Sequence, residues 1–271
     1  MSSDLALRLV PDELWAIVEP LIPGFTPRRQ GGGTAPVDDR AVFTAIVYVL
    51  TSGCAWRHLP GEFEVKVPTA HRRFTAWTRA GLWPRLHHAV LDELGARGQV
   101  DWASVIVDAA AVRAKRGSLT GRNPVDRGKK GSKLHVLSDA AGLPLVVAVS
   151  AANVHDSQAF KPLLMALPAI RSRRGPRRRR PAKVRADKAY NSAEHLTWLR
   201  RRGIVSRIAR AGIESSERLG RHRWKIERNL AWLFGYRRLT VRYERHGHLF
   251  NAFLVLAATI TCYKKLTQLP T

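Results

Sequence analysis

The chain has 271 residues, room for one large domain or two of ordinary size, and its 46 Lys and Arg against 21 Asp and Glu give a formal net charge of +25. A hydrophobic content of 45% with eight Trp excludes general disorder, and a count of two cysteines, Cys54 and Cys262, excludes a disulfide scaffold and a cysteine-based zinc site. No cationic segment followed by an apolar run opens the sequence, and the longest apolar stretch, 249–263, falls short of the ~20 residues a bilayer requires. The expectation is a cytoplasmic protein with a polyanion as partner and no membrane contact.

The charge is unevenly spread. Residues 1–100 hold 11 Lys and Arg against 10 Asp and Glu, whereas residues 101–271 hold 35 against 11. An excess of that size is the usual signature of a phosphate-binding surface, because each neutralised phosphate releases condensed counterions. An Arg-rich composition without a nucleic-acid role is the alternative.

In chain order, Pro11-Asp12-Glu13 opens a helix through Leu21, with acids in its first turn. Residues 26–36 (TPRRQGGGTAP) are a break, not a phosphate loop, since no Gly-Lys-Ser/Thr follows the glycines. Asp38-Asp39 starts an apolar helix over 41–51, closed by Gly53. Pro68-Thr69 opens a basic helix in which Phe74, Trp77 and Thr78 share one face and His71, Arg72, Arg73 and Arg79 occupy the rest; Gly81 ends it, and another helix runs to about Leu94. A basic helix after a short turn suggests a helix-turn-helix reader of duplex DNA, with Arg72 and Arg73 as contacts; an ordinary helical bundle with solvated arginines fits the same pattern. Residues 1–100 are thus expected to form an all-α, helix-turn-helix-like domain.

Beyond residue 100 the pattern becomes strand-like. Residues 104–110 (SVIVDAA) form a strand, and the basic stretch 112–133 separates it from a second strand over 134–139. Ala140-Ala141-Gly142 connects this to LPLVVAVSA as a hairpin, and Asp156-Ser157 caps a helix to about Leu167. The run RSRRGPRRRRPAK (171–183) carries many cations and no acid, and reads as a surface loop whose Arg177, Arg178, Arg179 and Arg180 contact phosphates. A strand over 182–187, a helix over 192–202, a strand in GIVSRIAR, a long helix over 216–234 and an apolar helix over 249–266 complete a mixed α/β sheet with flanking helices over 101–271.

With 11 acids among the residues after 100, each can be weighed. Asp101, Asp126, Asp139, Glu194, Glu214, Glu217 and Glu244 are assigned to loops, turns, helix ends or exposed faces. Asp108 interrupts the apolar run Val105-Ile106-Val107, Asp187 ends a strand, and Glu227 lies in a helix one turn after Arg223. Three carboxylates gathered in a basic groove would bind hard divalent cations through oxygen. The alternative is that each is salt-bridged to a neighbouring cation.

Five segments then carry a resemblance: VDAAAVRAKRG, PVDRGKKGSKLHVLSD, ANVHDSQ, ADKAYNS and HRWKIERNLAWLFGYRRLTVRYER. With the earlier DELWAIVEPLIP, VYVLTSGCAWRHLP and HRRFTAWTRAGLW, they resemble insertion-sequence transposases of the insertion-sequence-five family along essentially the whole chain. The resemblance implies a ribonuclease-H-like catalytic domain whose two Asp and one Glu fall on Asp108, Asp187 and Glu227. These would hold two Mg²⁺ ions, with Mn²⁺ as a substitute, to hydrolyse transposon ends and pass the freed 3′-hydroxyl into target DNA. Arg223 matches the basic residue before the Glu. Arg223, Lys188, Lys129, Lys130, Lys133, Arg228 and Arg237 are expected at DNA phosphates. Phe234 stands where many relatives have a Lys, with Arg228, Arg237 and Arg238 nearby; His155-Asp156 is read as supporting the site. The partners implied are terminal inverted repeats and target DNA, bound by a homodimer or larger assembly in a bacterial nucleoid. A nuclease without strand transfer, or a DNA-binding derivative that has lost catalysis, shares the same residues.

Overall fold

The computed structural model describes residues 4–24, 37–209 and 230–267. The short helices α1 (Asp4–Leu9) and α2 (Asp12–Val18) lead to α3 (Asp39–Ser52). Asp38 caps α3 by accepting from the Arg40 and Ala41 N–H groups, and Gly53 ends it at φ +72°. Helix α4 (Val67–Arg79) buries Ala70, Phe74 and Trp77, one stripe at i, i+4 and i+7, and α5 (Leu82–Ala96) follows the left-handed Gly81.

Among the described residues, seven strands form one mixed sheet. They are β1 (Val105–Ala114), β2 (Gly121–Arg122), β3 (Lys130–Asp139), β4 (Pro144–Ala151), β5 (Lys183–Ala186), β6 (Val205–Ile208) and β7 (Val241–Arg242). The main order is β4-β3-β1-β5-β6: β3 is antiparallel to both β4 and β1, while β5 and β6 run parallel to β1. This is the ribonuclease-H-like arrangement. Between β4 and β5 lies α6 (Ser157–Met165), between β5 and β6 lies α7 (Ala193–Arg201), and α8 (Gly247–Thr267) closes the described chain. Val105–Val107 and Leu134–Asp139 are buried residue after residue, so both faces of the sheet centre are covered.

Several sequence expectations are corrected. The segment between the two strands is shorter than the expected 112–133: β1 continues to Ala114 and β3 begins at Lys130, because the pair keeps its antiparallel register to Arg113↔Gly131. Two strands not foreseen, β2 and β7, extend the ladders of β3 and β1. Asp156 does not cap α6; its side chain makes an ion pair with Lys133 at 2.9 Å. The final helix has 21 residues, which is long and apolar enough to cross a membrane, yet 78% of its apolar window is buried inside the protein.

The N-terminal helices share a core with that last helix. Phe74 of α4 stacks on Phe253 of α8 at 4.4 Å, Trp56 lies 6.0 Å from the same ring, and His87 of α5 hydrogen-bonds the Pro144 carbonyl at 3.0 Å. Of the two free cysteines, Cys262 is buried on that carbonyl and Cys54 is half-buried.

Candidate active site

The site is built by strand register. Val105, Ile106 and Val107 of β1 pair in parallel with Val184, Arg185 and Ala186 of β5. One step further along each strand stand Asp108 and Asp187. Parallel neighbours in register lie about 5 Å apart and present side chains to the same face, so two acids 79 positions apart in sequence become side-by-side neighbours. Asp108 is half-buried and its Oδ1 accepts the Ala109 N–H at 2.8 Å. Asp187 is exposed and accepts the Lys188 N–H at 2.6 Å, starting the 3₁₀ turn Lys188–Tyr190 that bends the chain away from β1.

β5 covers β1 up to Val107, and β7 covers it again from Arg113. Among the described residues no strand pairs with that edge of β1 over 109–112. A groove of about 590 Å³ runs there, lined in part by Ala111, Arg113, Asp126, Lys133, Asp156 and Phe234.

Tyr190 ties the acids together. It is 2% exposed, and its hydroxyl finds no hydrogen-bond partner among the described residues. Burial raises its pKa, and the charges of Asp156, Asp108 and Asp187 raise it further. Three carboxylates therefore act on one phenol. The Phe160 ring lies 5.7 Å from the Tyr190 ring and stacks on His195 at 4.6 Å, and His195 Nδ1 meets the Tyr190 backbone carbonyl at 2.8 Å. The sequence places Tyr190 within the ADKAYNS segment but implies no role for it. Its closeness to Asp156 arises from packing and leaves no mark on local pattern.

The candidate cations fall into different settings. Lys133 lies with its side chain 15% exposed, bonded to Asp156 and to the Val154 carbonyl at 2.8 Å, and thus braces the groove wall. Lys129, Lys130, Lys188 and Arg237 are exposed. Arg238, expected as a nearby surface cation, is buried in an ion pair with Glu244 at 2.6 Å and bonds the Cys54 carbonyl at 2.7 Å. Glu244, assigned to the surface from sequence, is therefore internal. So is Asp139, which is 0% exposed and accepts the N–H groups of Asp101, Ala141 and Leu143. Arg177 bonds Asp92 at 2.8 Å, and Arg178, Arg179 and Arg180 are exposed on the same segment. On α4, Arg72 is exposed and Arg73 pairs with Asp39 at 2.8 Å.

Glu227, Arg223, Arg228 and Trp224 lie outside the described residues. The helical residues 230–234 that follow bring Phe234 to the groove, and Trp232 is 41% exposed. Among the described residues no group of three or more His, Cys, Asp or Glu side chains is arranged to hold a metal ion. Asp108 and Asp187 do supply hard oxygen donors, next to a buried and unpartnered phenol, which is a donor set that suits a divalent cation.

Comparison with known proteins agrees with this architecture. Residues 10–87 match the family model described as "Putative transposase of IS4/5 family", and residues 103–262 match "Transposase DDE domain". A Burkholderia cepacia protein described as "Putative transposase for insertion sequence element IS402" is 44% identical over 149 residues, 55% of this chain and 71% of the relative. The "Insertion element IS402 uncharacterized 16.2 kDa protein" of the same organism is 40% identical over 123 residues, 44% of this chain and 84% of that protein. Solved structures with a distant likeness include a piggyBac transposase synaptic complex with hairpin DNA, at TM-score 0.44 and 10% identity over 97% of this chain and 75% of that one. A Mos1 transposase paired-end complex gives TM-score 0.29 and 12% identity over 90% and 82%. The two family matches and the 44% identical relative establish that the chain belongs to the DDE transposases of the IS4/5 insertion-sequence family.

Proposed function

We propose that this transposase hydrolyses phosphodiester bonds at the ends of its element and joins the freed 3′-hydroxyl to target DNA, using Asp108, Asp187 and Glu227. The observation that carries the reading is the β1–β5 register, which sets Asp108 beside Asp187 one step past Val107↔Ala186. Phe234 on the groove wall supports the reading, since it stands seven positions after Glu227 in the sequence. The three carboxylates would hold two Mg²⁺ ions, for which Mn²⁺ can substitute. When bound, such ions activate the attacking oxygen and stabilise the leaving one.

The chain's own residues do the rest. Asp108 is held by the Ala109 N–H and Asp187 by the Lys188 N–H, so both carboxylates are oriented before substrate arrives. Lys188, Lys129 and Lys130 are exposed cations available to the phosphate backbone, with Arg223, Arg228 and Arg237 as further contacts. Lys133 acts through Asp156, with which it is ion-paired on the groove wall. Residues 1–100 and 101–271 form the DNA-binding and catalytic parts, a division supported by family matches falling on either side of residue 100. Two ends of one element would need at least two copies of the chain. Terminal repeats and target DNA place the work at the bacterial nucleoid.

The test uses purified protein, Mg²⁺ or Mn²⁺, and duplexes ending in the inverted repeats that flank the coding region. Asp108→Asn and Asp187→Asn should each lower cleavage by at least about 10³-fold while duplex affinity stays within a few-fold. Cleavage retained by either variant removes that residue from the site. Cleavage by the parent without joined products on a target plasmid would leave a nuclease.

A further inference from the structure

The run of arginines at 171–180 is not a loose loop. Ile170 and Arg178 exchange backbone hydrogen bonds at 2.8 Å, and Gly175 turns the chain at φ +87°. The Ser172 hydroxyl lies 2.8 Å from the Pro176 carbonyl and 3.0 Å from those of Arg174 and Gly175, closing the tip. At the root, Asp92 of α5 accepts both the Arg171 N–H and Arg177 Nη1. The Arg171 carbonyl approaches Gly95 so closely that a Cβ there would lie 2.1 Å from it. The Arg178 guanidinium sits 5.7 Å above the Trp102 ring, Arg179 donates to the Met165 carbonyl, and Arg180 donates to the Arg202 carbonyl. Several like charges are thus locked into one hairpin, although their mutual repulsion opposes this. Such preorganisation is repaid when a polyanion binds.

The hairpin stands at the other end of the sheet from the carboxylates. Trp102, Ala182 and Arg202 all precede the parallel strands, and the Ala182 N–H donates to the Trp102 carbonyl at 2.9 Å. Asp187 follows β5. Four residue steps from Lys183 to Asp187 correspond to about 13 Å along the strand. The last turn of α7 ends on the hairpin's side with Arg200 and Arg201, both exposed. At the tip, Arg173 and Arg174 are exposed as well, and among the described residues none of these four makes an ion pair.

We propose that the hairpin 171–180 and the last turn of α7 form a second duplex-DNA surface, which grips phosphate backbone beyond the footprint at the carboxylates. Arg177 to Arg180 brace it, and Arg173, Arg174, Arg200 and Arg201 reach outward. This rests on the DNA-cleaving reading above. It adds that one subunit holds DNA at both ends of its sheet, the far segment being DNA internal to the element, a second end or the target.

The test compares salt dependence of binding on two duplexes: one of about one helical turn limited to the outermost repeat, and one of about four turns. Replacing all four outward arginines by Gln should lower the log–log salt slope on the long duplex by about 3 and leave the short-duplex slope unchanged. Replacing them by Lys should restore it. All four are exposed, so the thermal midpoint should stay put and certify folding. An unchanged long-duplex slope overturns the proposal. So does an equal fall on both duplexes, which would merge the two footprints. Loss of self-association in sedimentation with the slope intact would assign the face to a second copy instead. If the parent protein binds neither duplex, the transposition reading falls too. A parent that binds and cleaves beside an unaffected variant sinks the hairpin alone.

Discussion

Residues 1–100 and the residues that follow treat charge in opposite ways. In the first part acids and cations are nearly equal in number, 10 against 11, and meet in pairs such as Arg40 with Asp12 and Arg73 with Asp39. Asp12, Asp39 and Arg40 lie in the first turns of α2 and α3, and Arg73 in the middle of α4. In the second part cations outnumber acids 35 to 11, and most described acids are committed to one task. Asp126, Asp156, Glu194 and Glu244 pair with Arg113, Lys133, Lys161 and Arg238. Asp139 is buried on backbone N–H groups, while Asp108 and Asp187 each stand one step past the last β1–β5 pair. Where cations are abundant, the position of an acid is informative and the position of an arginine much less so.

The contrast makes ion pairs in the two parts unequal in energy. Glu244→Ala would leave the Arg238 guanidinium buried without its partner, and should cost about 3–5 kcal/mol in thermal or denaturant unfolding. The corresponding change in the first part, Asp12→Ala, removes a partly exposed pair and should cost less than about 1 kcal/mol. Equal losses would erase the distinction.

A smaller effect appears in acid. Burial pushes the Asp139 carboxyl up to about 6, against the backbone hydrogen bonds that lower it. Folded Asp139 holds its proton to a higher pH than the unfolded chain does. Its contribution to stability is therefore largest below about 4 and is lost as pH rises to about 6. His87 behaves oppositely: burial lowers its pKa to about 4, so its contribution is full above 6.5 and is lost as pH falls toward about 4. Relative to parent, Asp139→Asn and His87→Gln should tilt the stability profile in opposite senses between pH 4 and 6.5, each by on the order of 2–3 kcal/mol. Tilts of the same sign would break this assignment.

The smallest expected effect concerns DNA. Arg72→Gln on α4 should lower the salt slope of duplex binding by no more than about 1, against about 2 for Lys129→Gln with Lys130→Gln. A larger loss at Arg72 would move the main DNA contact into the near-neutral first part.

Much of the site is legible in the order of the residues. Asp108 stands out because a carboxylate is costly within an apolar run, and Asp187 because it ends one. Asp139 and Glu244 show where that reasoning stops. Asp139 closes a strand much as Asp187 does, yet it points inward, because the turn at 140–143 and the incoming Asp101 supply three N–H donors. Glu244 is internal because Arg238 is internal with it. Neither partner is visible in a linear pattern.

The helical opening, the strand-rich remainder, the conspicuous acids and the uneven charge are all legible in the residues alone, since periodicity, apolar runs and counts are local properties. Only tertiary packing sets Asp108 beside Asp187, joins Lys133 to Asp156, and makes the arginine run a braced hairpin at the far end of the sheet. Each of these depends on strand register or on a contact between distant residues, and the free energy that selects them belongs to the packed whole.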